Sequence, residues 1–147
     1  MFRNEAQQRL ALFVAAALMS TGPFADDAGV QRAKALGAYI DSYTGTAGLL
    51  ATECKALAKE PLKTPQTLLD EERPFLCDLE YQEFKADLES NEYKEQMAVM
   101  VETLRSGVAA GVKGGTGHRR SCSIVVGAME AQVKQQKDAW NALKRAR

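Results

Sequence analysis

From Val30 to Leu143 the apolar residues recur in steps of three and four, and nowhere do they alternate with polar ones for the length of a strand. Steps of three and four gather side chains on one stripe of an α-helix, whereas a half-buried strand needs a period of two. This feature confines the chain to an all-α fold. The first run comprises Val30, Ala33, Leu36, Ile40, Tyr43, Ala47, Leu50, Cys54 and Leu57. Gly37, Gly45 and Gly48 each cost it about 1 kcal/mol of helix propensity against alanine, which opens the way to a break near Thr44–Thr46. Glu60-Pro61 ends the run, because proline cannot continue the hydrogen-bond ladder and restricts the residue before it.

Thr64-Pro65 restarts a helix, with Thr64 as N-cap and Pro65 in the first position. Pro74 divides this second helical stretch into a short helix and a longer one. In the longer piece Cys77, Tyr81, Phe84 and Leu88 share one face, while Asp78, Glu80, Glu83 and Asp87 face water. Ser90-Asn91 caps the next helix, which carries Tyr93, Met97, Met100, Leu104 and Val108 inward and fades into Gly111, Gly114, Gly115 and Gly117. The last helix starts near Ser121 and buries Val126, Met129, Val133, Trp140 and Leu143. Four main helices and one short one, joined by short connections, read as an up-and-down bundle.

The N-terminus reads as an address. Arg3 and Arg9 precede the apolar run LALFVAAALM, then Ser20, Thr21, Gly22 and Pro23 break it, with Ala25 before Asp26 and Asp27. A positive start, a short apolar core and a small-residue site form the secretory pattern. The run is well short of the roughly 20 residues that span a bilayer. Residues 1–25 are expected to be a cleaved signal peptide and 26–147 a single helical domain, periplasmic or extracellular, without a stable membrane anchor. Pro23 is atypical so close to the cut, but cleavage after Gly22 would leave it next in line, a poorer arrangement.

Removing Arg3, Arg9 and Glu5 from 19 basic and 19 acidic residues leaves 17 and 18. That balance argues against general binding to nucleic acid or a membrane surface. Residues 51–105 hold 13 acidic and 7 basic side chains, and 113–147 hold 2 and 8. These opposed halves can pair within the fold.

In an oxidising compartment two of Cys54, Cys77 and Cys122 should pair. In an up-and-down bundle all three fall toward one end. Cys77 and Cys122 both sit in first turns of helices starting there, which favours Cys77–Cys122, with Cys54 as alternative partner or free thiol. A bridge closing their 45-residue separation would contribute about 3–4 kcal/mol in the chain-entropy model. The odd cysteine could be buried or could join two chains as a homodimer. His118, four residues before Cys122, completes the residue types of a zinc site with the three cysteines. Paired CxxC spacing is missing, however, so a disulfide is expected rather than a metal, and no cofactor is implied.

The loop containing Lys113, Gly114, Gly115, Gly117, His118, Arg119 and Arg120 combines glycines with basic side chains ahead of a helix. It could hold an anion or a partner, although it lacks the residue order of a phosphate-binding loop and is otherwise a solvated connection. The carboxylates of 71–83 have helical spacing and read as a solvated face, and no nucleophile stands in a catalytic setting, so an enzyme is not expected. The function classes left open are an exported protein-binding module and a carrier. The module would be an inhibitor, immunity protein or envelope accessory factor whose partner is another envelope or secreted protein. The carrier would hold a small ligand or metal at the basic loop and the cysteine-bearing end.

Overall fold

The structure, a computed structural model, describes residues 27–146. The expected signal segment 1–25 and its cleavage point lie outside them. Five α-helices and two single 3₁₀ turns make up the described chain, which contains no strand: α1 Asp27–Ala51, a turn at Lys55–Leu57, α2 Pro65–Glu72, a turn at Arg73–Phe75, α3 Asp78–Glu89, α4 Asn91–Lys113 and α5 His118–Leu143. The all-α bundle is as expected, with four helices of 12 to 26 residues and α2 the short one at 8.

The caps follow from the sequence. Thr67 N donates to the Thr64 hydroxyl at 3.1 Å, and Pro65 takes a first-turn position where no N–H is missed. Cys77 and Glu80 form a reciprocal capping box, Cys77 N donating to Glu80 Oε1 at 3.0 Å and Glu80 N to Cys77 Sγ at 3.5 Å. Tyr93 N donates to the Ser90 hydroxyl at 3.1 Å. α5 starts earlier than Ser121, at His118, and its N-cap Gly117 provides no side-chain acceptor.

Long-range contacts set the direction of each leg. Arg32 near the start of α1 meets Ala146 beyond the end of α5, and Cys54 just past α1 is bonded to Cys122 near the start of α5. The two helices are therefore antiparallel. Residues 63 to 75 descend along α1: Lys63 N bonds Tyr43 and Phe75 O accepts from Arg32. α3 and α4 then climb together, with Glu80 beside Arg32, Phe84 beside Gly37, Met100 beside Gly45 and Val101 beside Gly48. The Ser90 cap only interrupts that ascent. The bundle is up-and-down, with α2 within its second leg and α3–α4 sharing its third.

Two expectations change here. α1 does not break at Thr44–Thr46, where the Thr44 and Thr46 hydroxyls bond carbonyls four residues back, at 2.7 Å each. Its glycines are contact points: a Cβ on Gly45 would meet Met100 Sδ, and one on Gly48 would meet Val101 Cγ2. Glycine's propensity cost is offset by the close approach of α4. Gly111 works likewise inside α4, against Ser121 of α5, so it does not belong to the connecting loop.

The core forms in two blocks. The lower block joins Leu36, Tyr39, Ile40, Leu68, Leu69, Leu76, Tyr81 and Trp140, and the upper joins Leu49, Leu50, Cys54, Val108, Cys122 and Val126. Each large aliphatic or aromatic side chain enclosed there contributes about 1.5–3 kcal/mol by leaving water.

Candidate functional site

The upper end of the bundle holds most of the residues singled out in the sequence. The disulfide joins Cys54 to Cys122, with Cα atoms 5.6 Å apart, and Cys77 is free and exposed. This corrects the favoured Cys77–Cys122 pairing in favour of the alternative partner, Cys54. The reason is topological. Because residues 52–76 descend the length of α1, α3 begins at the lower end, beside Phe75 and Arg32. At 1.5 Å rise per residue, the stretch of α1 from Arg32 to Ala51 separates the two ends by about 28 Å. The same distance removes Cys77 from any zinc set with Cys54, Cys122 and His118. The basic loop shrinks to residues 114–117, in which Gly115 has φ +98° and supplies the left-handed turn.

Around the bridge lies a polar cluster that the sequence did not reveal. His118 Nε2 stands 3.1 Å from Glu53 Oε1 and 3.9 Å from Cys122 Sγ. The Glu53 carbonyl oxygen is 3.7 Å from the same sulfur, and Arg105 Nε is 3.5 Å from Glu53 Oε2. His118 and then Arg105 hold the Glu53 carboxyl below its ordinary range. His118 is thus engaged by an acid from α1's end, while Lys113, Arg119 and Arg120 remain exposed at the start of α5 and the end of α4. His118 and Cys122, four apart, share a helix face, which was a readable signal; the approach of Glu53 and Arg105 was not.

Beside this end, α1, α5 and the descending segment enclose a shallow groove of about 280 Å³. Tyr43, Ala47, Leu50, Leu57, Leu62 and Val133 supply its apolar lining, and Lys59, Glu60 and Glu130 its charged rim. Leu62 stands 38 % exposed on the segment that the disulfide ties back to α5.

Three charged side chains enter the lower and middle bundle: Arg32, Asp41 and Glu72, the last buried beside Lys144 rather than on the solvated face expected for it. Arg32, 5 % exposed, donates to Ala146 O and Phe75 O at 2.6 Å each, lies 3.9 Å from Glu80 and 5.8 Å from the Trp140 ring centroid, and so ties the other three legs to α1. Asp41 shares a face of α1 with Gly37, Gly45 and Gly48. It lies where α3 gives way to α4, beside Tyr93 and within the field of Asp87. Burial pushes its carboxyl up to about 6, against a smaller downward pull from Tyr93 and with a further upward push from Asp87. The Tyr93 hydroxyl is enclosed close to Asp41 and Thr44, without a well-aligned hydrogen bond to either.

The chain matches no protein-family model, no curated protein and no solved structure. Fold and site together define a class and no family: an all-helical bundle, stapled by a disulfide at one end, with an apolar groove beside the staple.

Proposed function

We propose that the chain is exported by its first 25 residues and acts outside the cytoplasm as a protein-binding module, with the groove between α1, α5 and residues 57–62 as its contact surface. The groove carries this reading. Apolar side chains at its floor with charges at its rim are the composition of a protein contact, where a buried anchor is surrounded by polar groups. The Cys54–Cys122 bond supports the compartment, since structural disulfides persist where the surroundings oxidise. Among the described residues no helix is long and apolar enough to cross a membrane.

A photoreactive side chain placed at Leu62, in the full chain expressed in its own host, tests both parts. The expected result is loss of residues 1–25 and a single protein adduct from Leu62 that a control at exposed Leu79 on α3 does not give. Retention of the uncut chain inside the cell refutes export, and identical labelling from both positions refutes the groove. A small molecule retained by the native protein, with no adduct, would favour the carrier reading.

A further inference from the structure

One ring nitrogen, His118 Nε2, faces both the Cys122 sulfur at 3.9 Å and the Glu53 carboxylate at 3.1 Å. A nucleophile–histidine–acid triad places the thiol and the acid on opposite ring nitrogens. Donors gathered on one nitrogen instead surround a common point. The fourth donor at that point is Cys54, bonded to Cys122 and adjacent in sequence to Glu53. We infer that reduction of the Cys54–Cys122 bond converts this cluster into a tetrahedral zinc site formed by Cys54, Cys122, His118 and Glu53.

The dimensions agree. With Zn–S near 2.3 Å, Zn–N near 2.0–2.1 Å and Zn–O near 2.0–2.2 Å, a tetrahedron has a sulfur–nitrogen edge of about 3.6 Å and a nitrogen–oxygen edge of about 3.4 Å. The observed 3.9 and 3.1 Å lie within a few tenths of an ångström of these. Once reduced, the sulfurs have to part to about 3.8 Å, which the 5.6 Å Cα separation accommodates by side-chain rotation. The helical spacing of His118 and Cys122 presents both from one face of α5, and Glu53-Cys54 approaches from the end of α1. Arg105, 3.5 Å from the outer oxygen Oε2, holds the carboxylate with Oε1 toward the cluster, the role of an orienting outer partner. Two thiolates with an imidazole and a carboxylate suit zinc's borderline softness. His118 is exposed, so the ion has a path in although both cysteines are only 2 % exposed.

In the bridged form the two sulfurs are committed to each other, and no three metal-binding side chains are grouped among the described residues. A dithiol reductant supplies two electrons and two protons. Its own sulfurs become a disulfide (a phosphine instead ends as its oxide, with the oxygen and both protons from water), the Cys54–Cys122 bond breaks, and two thiols form. Zinc then displaces both thiol protons to solvent while His118 binds in its neutral form. This goes beyond the binding-module reading and does not depend on it.

The test uses the purified full chain, oxidised or reduced with a phosphine, incubated with zinc chloride, freed of excess metal and analysed for bound zinc and helical circular dichroism. The reduced protein is expected to retain one zinc per chain and the oxidised protein none. Cys77→Ser should leave the zinc in place, whereas His118→Ala and Glu53→Gln should each weaken it at least tenfold against a competing chelator. Reduced protein that holds no zinc overturns the inference, as does zinc that follows Cys77 rather than His118. If reduction without metal lowers helicity, zinc must restore it in the parent chain and not in His118→Ala; failure to do so also overturns the inference.

Discussion

Asp41→Asn should make this protein more stable at neutral pH and remove an acid-favoured component of its stability. The carboxyl rises from 3.8 to about 6 in the folded chain, with burial as the leading cause. Between those values the native state binds more protons than the unfolded chain, so stability rises as pH falls. The cost of the buried charge is fully present above pH 6 and gone below the unfolded value. At 1.36 kcal/mol per unit, a shift of about two units amounts to about 3 kcal/mol, of which about 2 kcal/mol returns between pH 7.5 and 4.5. Asparagine resembles the protonated acid in shape and carries no charge. Urea midpoints of the parent and Asp41→Asn across that interval isolate the effect, because every other titrating group is common to both. The expected difference favours Asp41→Asn by about 3 kcal/mol at pH 7.5 and narrows to about 1 kcal/mol by pH 4.5. Asp70 and Glu53, held low by Tyr81 and His118 respectively, lose their contribution only as pH falls further, through their lowered values. Parallel pH profiles for the two proteins would refute the burial of a charge at this helix junction.

Replacing Cys54 and Cys122 together by serine should lower stability by about 4 kcal/mol in the chain-entropy model, given the sequence separation of 68, measured as a shift in the urea midpoint. Gly48→Ala and Gly127→Ala should act in opposite directions in thermal melts. The first drives a Cβ into the stiff Val101 side chain and costs about 1–3 kcal/mol. The second meets nothing within 4 Å on an exposed helix position and gains up to about 1 kcal/mol of propensity. Arg32→Met should cost about 2–4 kcal/mol, since the carbonyls of Phe75 and Ala146 each lose a charged donor. Hydrogen exchange should show the segment after α5 opening first.

Arg32 and Asp41 show how far a periodic pattern carries. Arg32 precedes Leu36 and Ile40 at steps of four, so its place on a buried stripe could be read, but its two carbonyl partners lie 43 and 114 residues away. Asp41 stands in step with Gly45 and Gly48, and that row reads as a weakness in α1 when it is the seat of α4. The hydroxyl caps at Thr64 and Ser90 were local and legible. The groove was not, because Glu130 and Val133 of α5 meet residues 43–62 only through the fold.

The sequence by itself determined the all-α class, the caps at Thr64 and Ser90 and the number of helices, because helical period and capping depend on neighbours within about four residues. It also narrowed the disulfide to three cysteines. Only the tertiary structure decided which two join. That choice depends on how far residues 52–76 descend before α3 begins, and that length is set by packing of Leu68, Leu69 and Leu76 against α1 and Trp140. The same descent leaves Cys77 alone at one end of the bundle and brings Glu53, Cys54, His118 and Cys122 together at the other.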